Sequence, residues 1–178
     1  MAKVHARYPL ANIVIYNGVT LAHFGLGAAG IVLGYARWPT AAWTIGLVYL
    51  VFALGQMYVL MPLSVCPSCV YRRLEGARCV SAMNLVSARI APLADEGDFG
   101  RRAEGALCHN HLYMASLVAP LVIILPALVF AFSWALLALL LAVAALLALR
   151  LFVVFPRVAC GVCAAKGRCP NTKAMGIG

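Results

Sequence analysis

The chain has 178 residues, of which 65% are hydrophobic and only 11% charged, and a formal net charge of +9. Soluble domains are roughly 45–50% apolar and about 25% charged, so an ordinary soluble globular fold is excluded. Hydrolytic and nucleotide-binding chemistries are excluded as well: no base accompanies the in-span serines Ser116 and Ser133, the acidic residues crowd into one loop, and the glycines of "FGLGAAG" follow no strand.

The first apolar run covers 10–36 and the second 41–63. Each matches the roughly 20 residues that one helical span of a bilayer requires. The first is too long for the apolar core of a cleaved leader. One face of this helix carries Asn12, Tyr16, Thr20 and His23, at steps of four, four and three, and continues as Gly27, Gly30 and Gly34. Glycines there let a neighbouring helix come close. Helix 2 brings Gln56 to a depth comparable with Asn17. Polar groups inside a span face the protein interior. His23, Tyr16, Thr20 and Gln56 are therefore the candidates for contact with a membrane quinone, or for interhelical hydrogen bonds that merely hold the bundle.

Next comes "CPSCVYRRLEGARC" (66–79), a loop with Cys66, Cys69 and Cys79. Residues 80–94 place Val80, Met83, Val86 or Ser87, and Ile90 on one stripe, which predicts an amphipathic helix on the membrane surface or against a metal site, ended by Pro92. Residues 95–106 form a polar connector holding four of the five acidic residues. "CHNH" (108–111) then brings Cys108, His109 and His111 to the start of the third apolar run.

That run, Leu112 to Phe155, is almost unbroken. As one straight helix it would be about 66 Å long, against a hydrocarbon core of about 30 Å. It must fold back, and "AFSWA" (131–135) is the turn. The expected architecture is therefore all-α, with four transmembrane helices arranged as two hairpins. "CGVCAAKGRC" (160–169) closes the chain with Cys160, Cys163 and Cys169.

Each half thus reads helix, turn, helix, Cys-x-x-Cys, Gly and Arg, Cys. This order of parts predicts a pseudo-repeat within a single membrane domain: a first half over 1–81, a connector over 82–107 and a second half over 108–178. Parallel halves would put both cysteine triplets on one face. Of the fourteen Lys and Arg, only Arg37 lies in a turn within a hairpin. Cytoplasmic segments carry the basic excess, so both termini and the cysteines are expected inside. The charge then marks topology and attraction to anionic lipid headgroups, and nucleic acid is not called for.

On the reducing side, Cys-x-x-Cys pairs point to metal binding more than to lasting disulfides. All seven cysteines fall outside the predicted spans. Seven cysteines with His109 or His111 give eight ligands, enough for two four-coordinate sites; the two Cys-x-x-Cys pairs alone give one four-thiolate site. Tetrahedral thiolate sites take zinc or iron–sulfur. The favoured expectation is a small electron-transfer protein with cytoplasmic iron–sulfur centres, a redox subunit of a larger membrane oxidoreductase complex or coupled to a soluble partner, with quinone as acceptor. The alternative is a non-catalytic anchor or assembly subunit stapled by zinc.

Overall fold

In a computed structural model, residues 4–95, 97–101, 108–169, 172 and 176 are described. Among them the fold is helical, with no strand beyond two isolated bridges. Helix α1 spans Leu10–Gly34 and α2 Pro39–Gly55. Helix α3 is Met83–Ile90, α4 Asp98–Arg101, α5 His109–Phe130 and α6 Trp134–Leu149. Four helical stretches are long and apolar enough to cross a membrane: Leu10–Gly34, Pro39–Ser68, His109–Phe130 and Trp134–Val162. The turn between α5 and α6 falls at 131–133, inside the expected segment.

The second and fourth of these stretches are longer than their apolar runs implied. Each passes from α-helix into a ten-residue π-helical stretch, Gln56–Val65 after α2 and Arg150–Ala159 after α6. Each π stretch contains a proline, Pro62 and Pro156, four positions before the first cysteine. Proline lacks the N–H and crowds the carbonyl four residues back; a wider turn relieves that crowding. Cys66 and Cys160 therefore sit at the ends of the long helical stretches, rather than clear of them as the sequence led us to expect.

Helix α1 packs against α2, α5 and α6. The glycine face works as its spacing predicts. A Cβ on Gly27 would come within 2.8 Å of Pro120, one on Gly30 within 2.5 Å of Ile124, and one on Gly34 within 2.8 Å of Ala127. All three contacts are on α5, so the two hairpins meet along this seam. Pro120 leaves the Ser116 carbonyl without its usual helical donor, and the Tyr49 hydroxyl donates to it at 3.2 Å.

Helix α3 turns its polar side inward. Asn84 and Ser87 are buried, whereas Leu85, Val86 and Ile90 are exposed. Val86 and Ile90 of the expected stripe, with Leu85, thus face away from the protein as on a helix resting on a lipid surface, whereas Val80 packs against the core. Asn84 explains the inversion. Its side-chain amide donates to the carbonyls of Ala77 (2.9 Å) and Tyr71 (3.3 Å), and its oxygen accepts from the Cys79 N–H (3.0 Å). Three backbone groups of the cysteine loop need it inside. Half of the acidic connector, residues 96 and 102–106, lies outside the described residues.

Candidate functional site

Both Cys-x-x-Cys segments form the same local turn. The Cys69 N–H donates to the Cys66 carbonyl at 3.1 Å, and the Cys163 N–H to the Cys160 carbonyl at 3.2 Å. Cys69 has φ −77° and ψ 143°, Cys163 φ −79° and ψ 137°. Further i to i+3 bonds follow, from Arg72 to Cys69 and from Lys166 to Cys163. The third cysteines repeat the pattern, with Ala82 bonding to Cys79 and Thr172 to Cys169. The Ala165 N–H also points at the Cys163 sulfur, 3.4 Å away. Gly161 is required by close approach, because a Cβ there would lie 2.0 Å from the Pro156 carbonyl oxygen.

The N-terminal segment holds the two turns together. Tyr8 is 1% exposed and donates its hydroxyl to the Ala159 carbonyl, while its N–H bonds to Arg78. His5 bonds to the Val162 carbonyl at 2.8 Å. The Tyr71 hydroxyl donates to the His5 carbonyl at 2.6 Å and accepts from the Ala164 N–H at 2.9 Å. A small core of Tyr8, Tyr71 and Ala77 results, and Cys69, Cys79 and Cys163 pack against it.

Burial pushes the Cys69 thiol up to about 12; the Tyr71 N–H opposes this, and Cys79, Cys163 and Cys169 add to the rise. The Cys163 thiol is raised by burial too, against the pull of the Ala165 N–H. Burial of this kind disfavours the thiolate, which is the nucleophilic form. Such thiols are suited to a structural or metal-binding role, because a bound metal ion displaces the thiol proton outright. All seven cysteines are free. Among the described residues, no group of three or more His, Cys, Asp or Glu is gathered closely enough to hold a metal ion. The turns are formed, then, and a tetrahedron would require the thiols to close in. Cys108 is buried just before α5, and His111 is exposed.

The polar face of helix 1 is sealed. His23 is fully buried, with Nε2 2.9 Å from the Leu117 carbonyl. Gln56 is 1% exposed and bonds to the Ser116 hydroxyl at 3.1 Å. Thr20 donates to the Tyr16 carbonyl at 2.6 Å. Of these four candidates, Tyr16 also lines a cavity.

The residue that sequence reasoning missed is Arg150. A charge near the end of the fourth helix reads as a topology marker, yet Arg150 is fully buried. Its guanidinium lies 4.7 Å from the centre of the Tyr16 ring and 5.2 Å from those of Tyr113 and Phe155. Nη1 donates to the Thr20 hydroxyl, while Nε and Nη2 make no hydrogen bond. The signal was available: Arg150 is the only charge between Leu112 and Phe155, and it precedes Cys160 by the same interval as Gln56 precedes Cys66.

Above these rings lies a cavity of about 390 Å³, bounded also by Met57, Met61, Met114, His109 and both Cys160 and Cys163. No family model matches the chain, and neither a curated protein nor a solved structure is similar to it.

Proposed function

We propose that the protein is a small integral membrane electron-transfer protein, with its cysteines and both termini on the cytoplasmic side and metal held by the thiolates of Cys66, Cys69, Cys79, Cys160, Cys163 and Cys169. The observation that carries this reading is the pair of matched Cys-x-x-Cys turns, joined through residues 5–8 into one cap. Cys108 and a histidine of the 108–111 segment complete the donor set. When bound, an iron–sulfur centre supplies one-electron transfer. Two electrons from a reduced soluble carrier, with two protons, convert a membrane quinone to its quinol.

The protein's own part is to bury the thiols, keep water from them and set them against the apolar cavity. Arg7, Arg72 and Arg78 surround a second, shallow cavity of about 270 Å³ on the cap. A basic face of this kind favours docking of an acidic donor. The matched halves also fit an origin in a repeated hairpin-plus-triplet unit, and the Lys and Arg distribution fits a cytoplasmic cap.

A structural zinc centre is the second reading. It is favoured by the dense hydrogen bonding that already ties residues 5–8 to both turns, because a cap so stitched resembles a staple. Anaerobic purification with metal analysis and a visible spectrum separates the two. Brown protein bleached by dithionite, with Cys66→Ser and Cys160→Ser each losing iron, is the expected result. Colourless protein with stoichiometric zinc would establish the second reading, and metal-free wild type would remove both.

A further inference from the structure

The shallow cavity on the cap, of about 270 Å³, is built where three segments meet. Arg7 lies just before Leu10, the first residue of α1. Its backbone bridges to that of Arg78: the Arg78 N–H donates to the Ala6 carbonyl at 3.2 Å, and the Tyr8 N–H to the Arg78 carbonyl at 2.9 Å. Arg72 is tied to the end of α3, where its Nη2 donates to the Ala91 carbonyl at 3.1 Å. Between Arg72 and Arg78 the chain reverses at Gly76, whose φ of +63° suits glycine. Arg7, Arg72 and Arg78 thus line one hollow, although Arg7 is distant from the other two in sequence.

All three arginines keep accessible surface: Arg7 is exposed, and Arg72 and Arg78 are half-buried. The Arg78 Nε and Nη2 donate to the Tyr8 carbonyl at 3.3 and 3.1 Å. A carbonyl acceptor fixes a guanidinium in place and leaves its charge uncancelled. Among the described residues, no carboxylate pairs with any of the three. Glu75 of the same loop is exposed and does not line the cavity. Three unneutralised guanidinium groups around one hollow favour an anion, and phosphate is the anion that arginine suits best alongside carboxylate.

The rest of the lining selects among phosphate sources. Leu74 and Leu85 also line the cavity, and they are 39% and 48% exposed. Leu85 belongs to the side of α3 that exposes Val86 and Ile90, the side that suits a lipid surface. A soluble acidic donor is attracted by the charge of this face at a distance, which requires neither a hollow nor leucines beside it. A free phosphate has no use for the leucines either. A phospholipid uses both features, with its phosphate among the arginines and its acyl chains along α3. The position of Arg7, at the entry of the first span, is the level at which headgroups lie.

We propose that this cavity seats the phosphate headgroup of an anionic phospholipid, with Arg7, Arg72 and Arg78 supplying the charge and Leu85 the apolar contact. Basic pockets beside membrane-spanning helices are suited to such headgroups. The proposal goes beyond the electron-transfer reading and needs only the membrane placement of the four helices; metal plays no part in it.

The test is calorimetric titration of the full-length protein, in uncharged detergent micelles, with dihexanoyl phosphatidylglycerol. The expected result is saturable binding of one lipid per chain, about tenfold tighter than that of zwitterionic dihexanoyl phosphatidylcholine. Arg7→Gln, at an exposed side chain, should weaken binding about fivefold, the effect of one arginine near a lipid phosphate. Leu85→Gln should weaken it about threefold through lost apolar contact. Arg157→Gln removes an exposed charge that does not line the cavity, and it should leave binding unchanged. Equal affinity for the two lipids, or wild-type affinity in either Arg7→Gln or Leu85→Gln, would overturn the proposal. An equal loss in Arg157→Gln would reduce it to diffuse attraction and overturn it too. Inorganic phosphate that competes as well as the lipid would make this a free-anion site. A decaglutamate peptide that binds more tightly than the lipid, and is indifferent to Leu85→Gln, would make it a protein-docking site. Either outcome overturns the lipid.

Discussion

The two cysteine-bearing helix ends share a backbone and differ in charge. Gln56 and Arg150 each open a ten-residue π stretch, each has a proline six positions later, and each is buried. Gln56 is neutral, and its side-chain amide donates to the Ser116 hydroxyl and the Ala53 carbonyl. Arg150 is cationic, enclosed by three rings and bonded to Thr20. It lies within electrostatic reach of Cys160. An uncompensated buried cation is costly, so the second half carries an electrostatic asymmetry that the first does not. The same scaffold can thus hold two chemically unequal thiol pairs.

Exchanging the two residues breaks this comparison most severely. Gln56→Arg would bury a second cation at a site with neither an aromatic cage nor an acid. A loss of about 3–5 kcal/mol is expected, seen as failure to recover folded protein from detergent extracts. Arg150→Gln, which makes the halves alike, should still fold. Equal recovery of both variants would show that the aromatic cage around Arg150 is not what tolerates the charge.

The turns themselves supply a smaller contrast. Gly161→Pro forces atoms onto the Pro156 carbonyl, and a loss of about 1–3 kcal/mol is expected from overpacking. The reciprocal Pro67→Gly changes only chain freedom in the unfolded state and loses a buried ring, for about 1 kcal/mol. Thermal unfolding of both variants measures the difference, and a larger effect in Pro67→Gly would mean that the two turns are not built alike. An equally small effect is expected at His23→Leu. It removes one hydrogen bond to the Leu117 carbonyl, worth about 1 kcal/mol, and should alter stability alone.

The four helices and the fold-back at 131–135 were legible because apolar run length is a direct statement of what a bilayer accepts. The Gly27, Gly30 and Gly34 seam was legible because small residues at helical spacing report close packing before the partner is known. Arg150 was not, because a charge near a helix end ordinarily reads as a topology marker, and only three rings from distant positions make a buried place for it. Periodicity predicted α3 as amphipathic but left open whether its apolar side met lipid or the cysteine loop; Asn84 decides this, because its hydrogen bonds to the 71–79 backbone require the polar side to face inward.

The clasp made by residues 5–8 has a consequence for how the molecule comes into being. Tyr8 and its acceptor at Ala159 are 151 positions apart in the chain, and such distant pairings close late. Residues 5–8 can bond to residues 71 and 78 earlier, but their contacts with Ala159 and Val162 wait until the last helix is in place. Only then can the Tyr71 hydroxyl be shared between His5 and Ala164 and the two cysteine turns be drawn onto one surface. A chain cut before Ala159 would keep the bonds of residues 5–8 to Tyr71 and Arg78 and lose those that join the two cysteine turns.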